Sequence, residues 1–187
     1  MPTMNAGDSA TMLRRAVIAA ALGQVFELYD FAIYGFLAAA IAHAFFPSAD
    51  PMTSLLSTFA TFGVGFLTRP LGALVIGTFG DRFGRKRALV LTIGIMAAAT
   101  GLTGLVPGYA TIGIWAPLLL LACRLLQGFS TGGEWGGSVA FLVEYAPPAR
   151  RGLFGSMQQC ATAIGVLSAA LAAGLAHSAF DDATFLD

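Results

Sequence analysis

Apolar residues fall in five long runs, at about 16–46, 55–79, 88–106, 115–145 and 153–176 of the 187-residue chain. A helix needs about 20 apolar residues to cross a hydrocarbon core about 30 Å thick. Each run therefore predicts a membrane-spanning helix. The connections are short and rich in turn formers, such as Pro47-Ser-Ala-Asp-Pro51 and Pro107-Gly-Tyr109. Short connections set neighbouring helices side by side and antiparallel. Arg14 and Arg15 precede the first run, as basic residues precede a secretory leader. That run is too long for a leader and carries Glu27 and Asp30, so it reads as a retained span.

Composition agrees with the pattern. Hydrophobic residues make up 57% of the chain and charged residues 11%, against about 25% charged in soluble domains. Net charge is zero, from ten basic and ten acidic residues. The basic residues sit in small clusters, so no surface for nucleic acid is expected. Three clusters set direction: Arg14 and Arg15; Arg82, Arg85, Lys86 and Arg87; and Arg150 and Arg151. All fall at alternate connections, and the remaining loops hold no Lys or Arg. The positive-inside rule then puts residues 1–15 in the cytoplasm and the acidic tail of Asp181, Asp182 and Asp187 outside. Cys123 and Cys160 lie in apolar runs with no ligand spacing, and read as structural thiols. No Ser/His/Asp set, phosphate loop or metal cluster points to an enzyme or a resident cofactor.

Five charges lie inside the runs: Glu27, Asp30, Arg69, Arg124 and Glu134. Each costs at least about 2.5–3.5 kcal/mol near a bilayer centre, so they are expected to face inward and pair. At 1.5 Å per residue, Asp30 lies roughly 21 Å from the inner start of its span, and Arg69 and Arg124 roughly 16–17 Å from the inner face. Glu27, Asp30, Arg69 and Arg124 are thus expected in one layer. One reading is an ion-pair set that only fixes helix positions. The other is an anion or proton site, in which changing an Arg–carboxylate pairing loads and releases a proton. For Arg69 the neighbouring Pro70 also predicts a helix distortion. In the fourth run Gly128, Gly132 and Gly136 recur every four residues, a small-residue seam for close packing, with Glu134 among them.

The connection between the second and third runs reads Gly77-Thr-Phe-Gly-Asp81-Arg-Phe-Gly84-Arg-Lys-Arg-Ala-Leu89. It resembles the signature loop of the major facilitator superfamily, with Phe79 and Gly80 as mild departures. Arg124-Leu-Leu-Gln127-Gly128 and Glu144-Tyr-Ala-Pro147 resemble the superfamily's fourth-span motifs. Glu27-Leu-Tyr-Asp30-Phe31, Phe66-Leu-Thr-Arg69-Pro70-Leu-Gly72 and Gly132-Gly-Glu134-Trp-Gly136 are similar to the metabolite:proton symporter branch. That branch carries citrate, α-ketoglutarate, shikimate and proline or betaine.

The resemblance implies an all-α polytopic membrane fold, here five spans (16–187) of the N-terminal six-helix half of a twelve-helix transporter. The missing C-terminal half is expected as a partner, since the site of such folds lies between halves. It implies a latch at Gly77, Asp81, Arg82, Gly84, Arg85, Lys86 and Glu144, with Asp81 buried at a helix N-terminus. It implies a substrate and proton pathway at Glu27, Asp30, Arg69, Arg124 and Glu134, with the proton as coupling ion and no cofactor. The expected function is symport of a proton with a small organic anion, such as citrate or a dicarboxylate, across the bacterial cytoplasmic membrane. The alternatives are a proline or betaine symporter and a non-transporting membrane fragment or regulatory partner.

Overall fold

The computed structural model describes residues 6–145 and 151–179, with the side chains of 6–17, 19, 20, 85, 86, 134–145, 151 and 154 outside the description. The apolar runs form helices, as they must in lipid, where every backbone N–H and C=O has to be satisfied within the segment. They are α1 (Ala6–Phe36), α2 (Ala38–Phe45), α3 (Pro51–Leu67), α4 (Arg69–Phe83), α5 (Arg85–Leu105), α6 (Tyr109–Ile112), α7 (Trp115–Tyr145) and α8 (Arg151–Ala179). Among the described residues, Pro51–Phe83, Arg87–Leu105 and Gly155–Ala179 are each long and apolar enough to cross a membrane.

The first apolar run does not make one continuous helix. Ala21–Phe36 and Ala38–Phe45 meet at 69° and pass the same test only as a bent pair. Two features surround the bend. The Tyr34 hydroxyl donates to the Thr58 carbonyl of α3 at 3.1 Å, which anchors the last turn before it. Gly35 has open space around it and supplies a weak point in the helix. The next element starts on a strong cap. Both Asp50 carboxylate oxygens accept from the backbone N–H groups of Met52 and Thr53, with Pro51 at the first helical position. Together with the Thr53 hydroxyl at 2.7 Å, these donors hold the Asp50 carboxyl below its usual range, the Thr53 side chain contributing most.

The second apolar run is also interrupted, between α3 and α4. Pro70 has no N–H to give the Phe66 carbonyl, so the ladder breaks there. Thr68 fills the gap. Its hydroxyl lies 2.8 Å from the Gly65 carbonyl and 3.0 Å from the Leu125 carbonyl of α7. The distortion expected at Pro70 is present.

Helix α7 is the hub, packed against α3, α4 and α5, while α1 lies mainly along α8. Its glycines permit the approach. A Cβ at Gly128 would overlap the Gly65 carbonyl oxygen, and one at Gly132 the Arg69 carbonyl oxygen. The small-residue seam thus brings the α7 backbone against the α3–α4 junction, with Gly136 beyond the residues whose surroundings are described. Cys123 is buried on this helix, whereas Cys160 of α8 is exposed.

Candidate functional site

Helix α1 turns one polar face inward. Gln24, Glu27, Asp30 and Tyr34 are each at most 5% exposed, and their three- and four-residue spacing puts them on one side of the helix. Two arginines from other helices meet this face. Arg124 Nη1 of α7 donates to Asp30 Oδ2 at 3.0 Å, and both side chains are almost wholly buried. Arg69 Nη2 of α4 lies 3.9 Å from Glu27 Oε1, a looser pair whose Arg is 31% exposed. Four of the five intramembrane charges are therefore brought together in pairs, one turn apart along α1.

The two arginines also rest on aromatic rings. The Arg69 guanidinium sits 4.7 Å from the Phe31 ring centre and 4.3 Å from that of Phe66. Arg124 sits 4.1 Å from the Tyr34 ring centre. Phe62 stacks on Tyr34 at 5.3 Å and meets Phe31 and Phe66 edge-on, which closes a cluster between α1 and α3. Desolvated cation–π contacts of this kind add to the ion pairs. The Nε of each arginine is buried without a partner, so each guanidinium retains donor capacity.

Three further buried polar contacts surround the pairs. Gln158 of α8 donates to Gln24 at 2.6 Å. Gln127 of α7 donates to the Thr100 hydroxyl of α5 at 3.0 Å. Ser130 donates to the Thr92 carbonyl at 2.6 Å. Sequence reasoning did not single out Gln24, Thr100 or Gln158. The signal for Gln24 was its place three residues before Glu27. Thr100 and Gln158 have no local signal, because their roles arise from which helices pack together.

The latch residues lie elsewhere, at the α4–α5 corner. Asp81 is not buried at a helix N-terminus, which corrects the expectation. Helix α4 continues through Phe83, so Asp81 and Arg82 are exposed within its final turn. Gly84, at a φ of 98° that favours glycine, ends α4 and caps α5. Gly77 lies on an exposed stretch of α4 with no atom near its missing Cβ. The side chains of Arg85, Lys86, Glu134 and Glu144 lie outside the described residues, as do the basic connection at Arg150 and the acidic tail.

A family profile described as "Sugar (and other) transporter" matches residues 16–182. The chain belongs to this transporter family. It is an integral membrane protein and not an enzyme. It is 46% identical over 175 residues to the proline/betaine transporter of Escherichia coli K12, covering 94% of this chain and 35% of that protein. It is 47% identical over 160 residues to the shikimate transporter of the same strain, covering 85% and 36%. It is 47% identical over 155 residues to the citrate-proton symporter of Klebsiella pneumoniae, covering 83% and 35%. The chain thus spans about a third of the length of the curated relatives it matches. These relatives place it in the metabolite symporter branch of the major facilitator superfamily.

Within such a family member the two pairs should differ in their hold on the fold. Arg69→Gln removes a long, partly exposed contact, expected to cost about 1 kcal/mol. Arg124→Gln strands a buried carboxylate, expected to cost about 3–5 kcal/mol. Thermal melts of both variants in detergent check the order; equal losses would show that exposure does not separate the pairs.

Proposed function

We propose that this chain is the N-terminal part of a secondary transporter that moves a small organic anion, such as citrate or a dicarboxylate, together with protons. Transport would run across the bacterial cytoplasmic membrane, with the N-terminus inside. The observation that carries this reading is the buried Asp30–Arg124 pair at 3.0 Å, from helices α1 and α7. A carboxylate held this way is ionised while the arginine faces it. It takes a proton when a conformational change separates the two, because burial then disfavours its charge. Taken together, Glu27, Asp30, Arg69 and Arg124 sum to zero charge. An anion entering this layer leaves uncompensated negative charge in a low dielectric, unless each charge arrives with a proton. Arg124 and Arg69 offer the donors that would meet the carboxylates. Asp81 and its basic neighbours keep the latch role at the cytoplasmic α4–α5 corner, with the partner surface supplied by the rest of the transporter.

A second reading has its own support. The Glu27–Arg69 pair is the looser one and lies under Phe31 and Phe66. A zwitterion, such as proline or betaine, offers a carboxylate to Arg69 and a cation to Glu27 and the ring faces, and adds no net charge. The relatives named for citrate and for proline and betaine bracket these two readings.

The test is uptake by the full-length protein in a strain lacking its own permeases, with citrate, α-ketoglutarate, shikimate and betaine offered in turn. Accumulation of one anion that collapses with a protonophore is expected. Asp30→Asn should abolish accumulation while the protein still reaches the membrane. Undiminished proton-driven accumulation in Asp30→Asn would remove Asp30 as the coupling group. Betaine as the accumulated solute would decide for the second reading.

A further inference from the structure

The Asp30–Arg124 pair is sealed: Asp30 is 5% exposed and Arg124 4%. A proton acceptor this deep needs a route to water, and the surrounding groups define one. Asp30 faces Arg124 from α7, with Glu27 and Tyr34 one turn away on α1 and Arg69 reaching Glu27 from α4. Helix α5 presents Thr100, whose hydroxyl is a second donor toward the Asp30 carboxylate. Helix α8 presents the neutral Gln158, which is engaged with Gln24. Thr100 differs from the rest in being exposed on the surface of the helices, while Asp30, Arg124 and Gln127 are not.

Donor and acceptor arithmetic fixes the direction of the Thr100 hydroxyl. Gln127 Nε2 donates to Thr100 Oγ1 at 3.0 Å, which occupies one of its two lone pairs. The single Thr100 proton then has the Asp30 carboxylate as its acceptor, and the second lone pair is left for water. Gln127 is itself wholly buried, so its amide cannot be reoriented by solvent.

We propose that Thr100 is the proton portal of the buried carboxylate and that Gln127 is the residue that aims it. A hydronium passes a proton to Thr100 Oγ1 as the hydroxyl passes its own proton to Asp30. One hydronium and one carboxylate become one water and one carboxylic acid, and Thr100 ends unchanged. Discharge runs the same steps backward. Neutral Asp30 no longer holds Arg124, which frees that guanidinium for an incoming anion. This inference rests on the coupling role proposed for Asp30.

The experiment separates net proton movement from substrate exchange in the full-length protein. Counterflow exchanges labelled for unlabelled substrate without net proton transfer, whereas accumulation requires the proton. In Thr100→Val the ratio of accumulation to counterflow is expected to fall on the order of tenfold or more, the low end for a lost proton-transfer group. Thr100→Ser should restore it, and Gln127→Leu should lower it less. Thr100→Cys, made with Cys160→Ser to remove the exposed native thiol, should react with a charged, membrane-impermeant thiol reagent. An unchanged ratio in Thr100→Val overturns the proposal, as does equal loss of counterflow, which would mark Thr100 as merely structural. Failure of the Thr100→Cys variant to react puts this position against lipid or protein and overturns the proposal too. Asp30→Asn tells the two readings apart. If it keeps proton-driven accumulation, the coupling role fails; if it loses it while Thr100→Val does not, only the portal fails.

Discussion

Arg124→Ala should abolish proton-driven accumulation and also destabilise the protein by about 3–5 kcal/mol, because it leaves Asp30 charged and unpaired in the bundle. The loss has three parts on the structure: the 3.0 Å bond to Asp30, the guanidinium over the Tyr34 ring, and the volume of a side chain that is 4% exposed. Stability and coupling can be told apart by neutralising both partners. Asp30→Asn with Arg124→Gln removes the stranded charge, so thermal stability in detergent should return most of the way to the parent value. Accumulation should stay lost, since no titratable carboxylate remains. If the double variant recovers both, the pair only fixes helix positions. If it recovers neither, the packing at Tyr34 matters more than the charges do.

The sequence carried the class of fold and the list of charges, but not the partners. Runs of about 20 apolar residues with basic connections made helices in a membrane the only economical reading. The cost of burying a charge required that Glu27, Asp30, Arg69 and Arg124 pair. Depth arithmetic placed all four in one layer and could not choose between the two ways of pairing them. The choice is made by helix α7, whose glycines let it press against the α3–α4 junction and so turn Arg124 toward Asp30, while Arg69 of α4 reaches Glu27 one turn earlier.

Other features needed the third dimension from the start. The bend at Leu37 lies in an apolar run with no proline, and Tyr34 is held there by a carbonyl 24 residues away. Thr100 reads as an ordinary small polar residue until Gln127 is seen donating to it across two helices. Asp81 failed in the opposite direction. Its motif resemblance implied a buried cap, whereas α4 runs past it to Phe83 and leaves it on the surface. A residue whose partner lies on another surface cannot be placed by the helix that carries it.

Gly132→Val should damage the protein more than any charge change outside the Asp30 pair, although it touches no polar side chain. A Cβ at this position would overlap the Arg69 carbonyl oxygen, which is backbone and cannot swing away as a side-chain tip does. The strain exceeds the 1–3 kcal/mol or so of ordinary overpacking, because relief requires moving α7 off α4. Since α4 carries Arg69, the same movement draws the guanidinium away from Glu27 and from the Phe31 and Phe66 faces. Gly101→Ala is the matched control: nothing lies within 4 Å of its added carbon. That change should be neutral or stabilise α5 by up to about 1 kcal/mol through helix propensity alone. Membrane yield and the detergent melting point of the two variants check this. A Gly132→Val protein that melts with the parent would mean the α4–α7 contact yields easily, and the seam would then be a sliding surface rather than a weld.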